Sequence, residues 1–160
     1  MDVTIRLYEP KDASRVSALI YKGFKNVYGD LLKDDPKPES YWNEVSHSKS
    51  LNTFSTAFVA ESNGIVIGYI RATVITNRDL GILEVVGVDP DASAKGVGRA
   101  LFEAAENIWK ESKVRKVYTC TSHINPALNY YLKMGFVEEG RLKSHFYPGV
   151  DEIQLGKFYV

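Results

Sequence analysis

Apolar positions along the chain alternate in some stretches and recur at helical spacing in others, and this divides it into short strands and amphipathic helices. Val3 to Tyr8 alternates as a first strand, and Glu9 to Asp12 supplies a turn with a helix cap. Val16, Leu19, Ile20 and Phe24 fall on one face of a helix predicted over Ala13 to Tyr28. A loop through Asp34, Asp35, Pro36 and Pro38 precedes a second short helix over Ser40 to Ser46. Phe54 to Glu61 and Ile65 to Ile75 are β-rich runs on either side of Asn63 and Gly64, a pair that marks a tight hairpin. A turn over Asn77 to Gly81 leads into a third run, Ile82 to Val88, so this part reads as an antiparallel meander.

After Gly98 the apolar positions Val97, Leu101, Ala104, Ala105 and Ile108 predict a helix to about Lys113, followed by a strand over Val114 to Thr121. A strand, a crossover helix and a further strand imply a parallel pair with a right-handed connection. Asn125 to Met134 reads as a helix with Pro126 at its first position and Gly135 as its stop. Phe136 to Glu139 and Ile153 to Tyr159 read as closing strands joined by a loop containing Ser144 to Gly149. The expected fold class is α/β with a mixed, mostly antiparallel sheet. No repeat, linker or low-complexity tract interrupts residues 1 to 160, so one domain is expected.

Lys plus Arg and Asp plus Glu both number 20, which leaves no global field to recruit nucleic acid or an anionic membrane. No apolar run reaches the roughly 18 residues of a membrane span, and the N-terminus lacks the apolar core of a signal peptide. The single cysteine, Cys120, excludes an internal disulfide. A cytoplasmic protein, monomer or homodimer, without nucleic-acid or membrane partners is therefore expected. No metal ligand set is assigned. Cys120 itself is expected to be a buried strand residue.

The stretch from Leu83 to Leu101 carries most of the candidate chemistry. An apolar strand enters an Asp89-Pro90 turn and a loop with Gly96 and Gly98, which opens onto a helix whose first turn presents free N–H groups to an anion. A Walker A loop needs Lys and Ser or Thr after its last Gly, but Arg99 and Ala100 follow Gly98. A dinucleotide fingerprint needs a third Gly where Leu101 stands.

The pattern Val88-x-Pro90, then Ala94 to Leu101, then a strand, then Asn125 to Phe136 resembles the GNAT superfamily of N-acetyltransferases. That family has Arg/Gln-x-x-Gly-x-Gly/Ala in the loop and Asn-x-x-Ala/Ser-x-x-Phe-Tyr-x-x-x-Gly-Phe in the later helix. Arg6, the Asp12 turn and the Asn63-Gly64 hairpin also fall where the family has them. The chain departs from the pattern at Ser93, where the family usually has Arg or Gln, and at Ala94, commonly Gly. The resemblance implies a sheet of six to seven strands flanked by about four helices, with one parallel strand pair splayed around the cofactor. It implies acetyl-CoA as cofactor, held by Ser93, Ala94, Lys95, Gly96, Val97, Gly98, Arg99 and Ala100 at the pyrophosphate, and by Asn125. It further implies that the thioester carbonyl meets backbone amides around Val86, Gly87 and Val88. Gly87 is expected to form a bulge, with packing against the first helix as the other reading.

The resemblance also implies direct acetyl transfer to a primary amine, with Tyr131 in place of the family's tyrosine that protonates the departing thiolate. Tyr130 is the expected core residue of the pair. A lysine-type amine of pKa about 10.4 is neutral only about once in 2,500 molecules at pH 7, so a base helps. Glu84 is the first candidate, with His123 and His145 as alternatives. Tyr28, Tyr41, His145 and Tyr147 are the candidate contacts to the acceptor, which is a small amine, a polyamine or a peptide or protein N-terminus. The rival reading is a CoA-binding module without catalysis.

Overall fold

The computed structural model describes residues 2–92 and 96–159. Ser93, Ala94 and Lys95, expected at the pyrophosphate, lie outside the described residues. Seven strands form one sheet: β1 (Thr4–Leu7), β2 (Thr53–Ser62), β3 (Ile65–Ile75), β4 (Leu80–Val88), β5 (Lys116–Ser122), β6 (Val137–Tyr147) and β7 (Val150–Phe158). Their order is β1-β2-β3-β4-β5-β7-β6, and β4 with β5 is the parallel pair. The helices are α1 (Ala13–Tyr28), α2 (Glu39–Ser46), α3 (Val97–Glu111) and α4 (Ala127–Lys133). The mixed sheet and its single parallel pair are as expected.

Alternation along the strands sends side chains into two cores, one on each face. Ile70, Ala72 and Val74 of β3 pack with Leu101, Phe102, Ala105 and Trp109 of α3. Tyr69 points the other way, into a cluster with Val16, Leu19 and Ile20 of α1 and Trp42 of α2. The Trp109 indole donates to the Thr73 carbonyl at 3.1 Å, which fixes α3 along the sheet.

Partly buried ion pairs anchor α1 at its start and along one face. Arg6 donates to both Asp12 oxygens at 2.8 and 2.9 Å and reaches Glu61 at 2.6 Å, joining β1, the start of α1 and β2. Arg15 and Lys22, one helical face of α1, both pair with the buried Asp89 just after β4. The strand feeding the glycine loop is thereby tied to α1.

The closing hairpin differs from expectation. Ser144 to Tyr147 is not a loop: β6 continues to Tyr147, and only Pro148 and Gly149 turn the chain into β7. The extension is polar, so apolar alternation did not mark it. It is held by Arg141 to Asp151 at 2.7 Å and by the Ser144 N–H donating to Asp151 at 3.0 Å.

Candidate active site

β4 and β5 pair only over Leu80, Gly81 and Ile82 against Lys116, Val117 and Tyr118. The Thr119 hydroxyl donates to the Leu83 carbonyl at 2.9 Å where the pairing ends, and the strands part beyond it. The gap is a cleft of about 580 Å³, with Glu84, Val85 and Val86 on one wall and Cys120 and Thr121 on the other. It reaches both faces of the sheet, since α1 and α2 contribute Ile20, Tyr28 and Trp42 while the α4 side contributes Asn125 and Tyr131. A volume in this range suits small-molecule ligands.

The bulge expected at Gly87 lies instead at Glu84. Arg71 faces Val85 and Ala72 faces Leu83, so Glu84 is the extra residue of β4. The parity of the strand changes there: Leu83 packs with the α3 core, Val85 with the α1 core, and Val86 and Val88 with the α3 core again. Gly87 is a close approach to α1, where a Cβ would sit 2.6 Å from Ile20 Cδ1. Its packing reading is therefore the correct one. Of the expected carbonyl-binding residues Val86 lines the cleft, whereas Gly87 and Val88 do not.

Tyr131 belongs to the α3 core at 6% exposure and also lines the cleft, while Tyr130 is only partly buried. Both tyrosines pack on the α3 core, and of the two only Tyr131 reaches the cleft. Burial pushes the Tyr131 phenol well above its ordinary value, against the nearby Thr119 hydroxyl, so it holds its proton throughout the neutral range. The Tyr130 hydroxyl donates to the Gly98 carbonyl at 2.7 Å.

Of the three candidate bases, only Glu84 lines the cleft. His123 accepts the Asp151 N–H at 2.9 Å through Nδ1, and His145 stacks edge-on against Phe146 on the exposed side of β6. A second carboxylate missed in the sequence, Glu152 of β7, is buried and lines the cleft beside Cys120. Burial raises its pKa, with Cys120 and His145 opposing. Its signal was an acidic residue alternating inward with Val150, just before the strand start expected at Ile153. Cys120 is exposed rather than buried. Desolvation and the Glu152 carboxylate push its thiol up to about 11, which keeps it from being a thiolate nucleophile at neutral pH.

The loop side ends in α3, whose cap Gly96 has φ +88°, a left-handed conformation that favours glycine. No side chain caps this terminus among the described residues, so the first-turn amides through Arg99 stay available. Ala100, counted with them from sequence, already donates to Gly96 at 2.9 Å. Val97 turns its side chain into the core, and Arg99 is exposed. Asn125 accepts the Ala127 N–H at 2.9 Å and so starts α4 while lining the cleft.

On the α1 side, the Tyr28 and Ser122 hydroxyls are hydrogen-bonded at 2.8 Å, and the Tyr28 and Tyr147 rings lie 5.1 Å apart. Tyr41 packs edge-on against Trp42 at 5.1 Å. All three of these candidate tyrosines line the cleft, together with Asp34 and Asp35; His145 does not. Arg71 of β3 was also missed. It is 9% exposed and lines the cleft, and its signal was a lone cation inside the apolar run Ile65 to Ile75.

A mixed sheet opened between its two parallel strands, with a glycine-capped helix at one end of the opening, defines the class of fold. The profile of the acetyltransferase (GNAT) domain matches residues 53–138, and the chain belongs to that family. Members of the family draw their acetyl group from acetyl-CoA. The chain is 28% identical over 139 residues to the mycothiol acetyltransferase of Thermomonospora curvata. That match takes in 84% of the chain and 44% of the relative, so the chain spans less than half of that protein. A putative phosphinothricin N-acetyltransferase superposes with a TM-score of 0.78 at 23% identity, covering 98% of each chain. PaiA N-acetyltransferase from Thermoplasma acidophilum in complex with coenzyme A superposes with a TM-score of 0.73 at 18% identity, covering 99% of this chain and all of that one. Among the described residues no helix is long and apolar enough to cross a membrane, and no cluster of metal-ligating side chains occurs.

Proposed function

We propose that the chain transfers the acetyl group of acetyl-CoA directly to a primary amine. The observation that carries this is the β4/β5 opening, which is lined by a protonated, buried Tyr131 and by the carboxylates Glu84 and Glu152. The residues present suit the cofactor: the uncapped α3 terminus offers N–H groups to a pyrophosphate, and β4 beyond Ile82 has an edge free of β5. When bound, acetyl-CoA supplies an activated thioester.

The chain's own groups then divide the work. Gly96 to Arg99 bind phosphate oxygens through their amides, while Asn125 contacts the extended arm. The backbone of Val86 to Val88 orients the acetyl carbonyl. Tyr131 Oη holds a proton for the departing sulfur, and its raised pKa keeps that proton in place until charge develops. Glu84 takes the proton of the incoming ammonium, directly or through water, from its bulged position at the cleft wall. Tyr28, Tyr41 and Tyr147 shape the acceptor side, where aromatic faces and Asp34 and Asp35 suit an ammonium group. The protonated Cys120 thiol favours this route over an acyl-enzyme.

Thiol release from acetyl-CoA with an amine panel tests the reading. Amine-dependent release by the wild type, lost in Tyr131→Phe with CoA affinity retained, is expected. CoA binding without turnover for any amine would instead support a binding module.

A further inference from the structure

We infer that the acceptor carries a carboxylate beside its amine, and that Arg71 is the residue that selects it; this rests on the acetyl-transfer reading. Arg71 Nη1 is buried and has no hydrogen-bond partner among the described residues. The residue is 9% exposed; its guanidinium neighbours the Tyr69 hydroxyl, a neutral group, and none of the ion pairs among the described residues includes it. A guanidinium in that position is costly unless an anion meets it. Arg71 lines the cleft, so the anion can arrive with a ligand.

A second orphan lies in the same place. Trp42 Nε1 of α2 is buried, also lacks a partner among the described residues, and lines the same cleft. Both are donors without acceptor capacity, so the complementary group must accept. A carboxylate meets this description, and its fork geometry matches a guanidinium.

Position separates this anion from the phosphates of the donor. Tyr69, two residues before Arg71 on β3, packs against Trp42 on the α1/α2 face, whereas α3 packs on the opposite face. The other charged residues of the lining are acidic apart from Lys37: Asp34, Asp35, Glu84 and Glu152. The field therefore favours an ammonium overall and a carboxylate only at Arg71. Arg71 faces Val85 across the Glu84 bulge, which places the anion subsite next to the proposed base. An amine and a carboxylate on one small molecule satisfy both, so the substrate class is an amino acid with an apolar side chain, for which Ile20, Phe24 and Leu32 provide the wall. A peptide N-terminus has an amide where this site asks for a carboxylate.

The test uses phenylalanine, methionine and leucine, their amides, their decarboxylated amines, and tetrapeptides beginning with the same residues. Binding is read by calorimetry in the presence of CoA, and KM and kcat by thiol release. Loss of a charged hydrogen-bond pair corresponds to about a ten- to hundredfold change. The free amino acids are expected to bind tighter than the amides and amines by that factor. Arg71→Met should remove the preference, raising KM for the amino acids with little change for the amines, and Arg71→Lys should restore part of it. Equal binding of acids, amides and amines by the wild type, or a preference for the peptides, overturns the inference, whether or not Arg71→Met folds. Absence of thiol release with every acceptor would overturn the acetyl-transfer reading instead, and the calorimetric comparison would still decide the anion subsite.

Discussion

The Tyr130 hydroxyl donates a 2.7 Å hydrogen bond to the Gly98 carbonyl, which ties α4 to the first turn of α3. In the acetyl-transfer reading α3 presents amides and α4 presents Tyr131 to the same cofactor, so this contact sets their spacing. Tyr130→Phe removes a hydrogen bond worth about 1 kcal/mol. Thermal unfolding should fall by about 3 °C for a domain of this size, and calorimetry should show weaker CoA binding with the stoichiometry unchanged. Unchanged affinity would mean that the spacing is set elsewhere.

Tyr131→Phe has a different signature. General acid catalysis contributes about 10²- to 10⁴-fold, so kcat should drop within that range while CoA affinity stays near wild type. A large affinity loss with normal turnover would reassign the residue to binding.

At Gly87 the expected effect is on packing. A Cβ would lie 2.6 Å from Ile20 Cδ1, so Gly87→Ala should destabilise the fold by about 1–3 kcal/mol in denaturant melts. Ile20→Val removes the clashing methyl, and the double substitution should cost less than the sum of the two single ones. Additive losses would show that the glycine serves something other than this approach.

The Arg6, Asp12 and Glu61 cluster predicts an acid limb of stability. Burial of Asp12 raises its pKa, but the Arg6 guanidinium and the Glu9 N–H together outweigh this and hold it below the usual carboxylate value. A depressed native pKa contributes stability above the unfolded value, near 3.9, and that contribution is lost as pH falls through the native one. Asp12→Asn should lower stability at pH 7 and flatten the decline between about pH 5 and the acid end of the titration. An unchanged acid limb in that variant would place the proton uptake on other groups.

Most of the scaffold was legible in the sequence because its determinants are local. Asn63 and Gly64, both at positive φ, set the β2/β3 hairpin, and the periodic apolar face of α1 marks that helix to its ends. The glycine-capped start of α3 was legible for the same reason, as Gly96 and Gly98 sit in one short segment. The parts that were not legible depend on pairing between distant strands. The bulge at Glu84 exists only in register with Arg71 and Ala72, so Gly87 was the more visible candidate. Cys120 looked like a core residue from its apolar neighbours, yet it faces the cleft because β4 leaves β5 after Ile82. Arg71 and Glu152 were passed over for a related reason: each is one charge in a strand, and its meaning comes from the opening that the sheet makes beside it.

The most direct test of the acetyl-transfer reading is a steady-state measurement of thiol release from acetyl-CoA with both donor and amine varied, using wild type and Tyr131→Phe. Amine-dependent release with intersecting double-reciprocal lines, lost in the variant while it still binds CoA, is the predicted result. No release with any amine, or a parallel pattern that points to an acyl-enzyme, would contradict it.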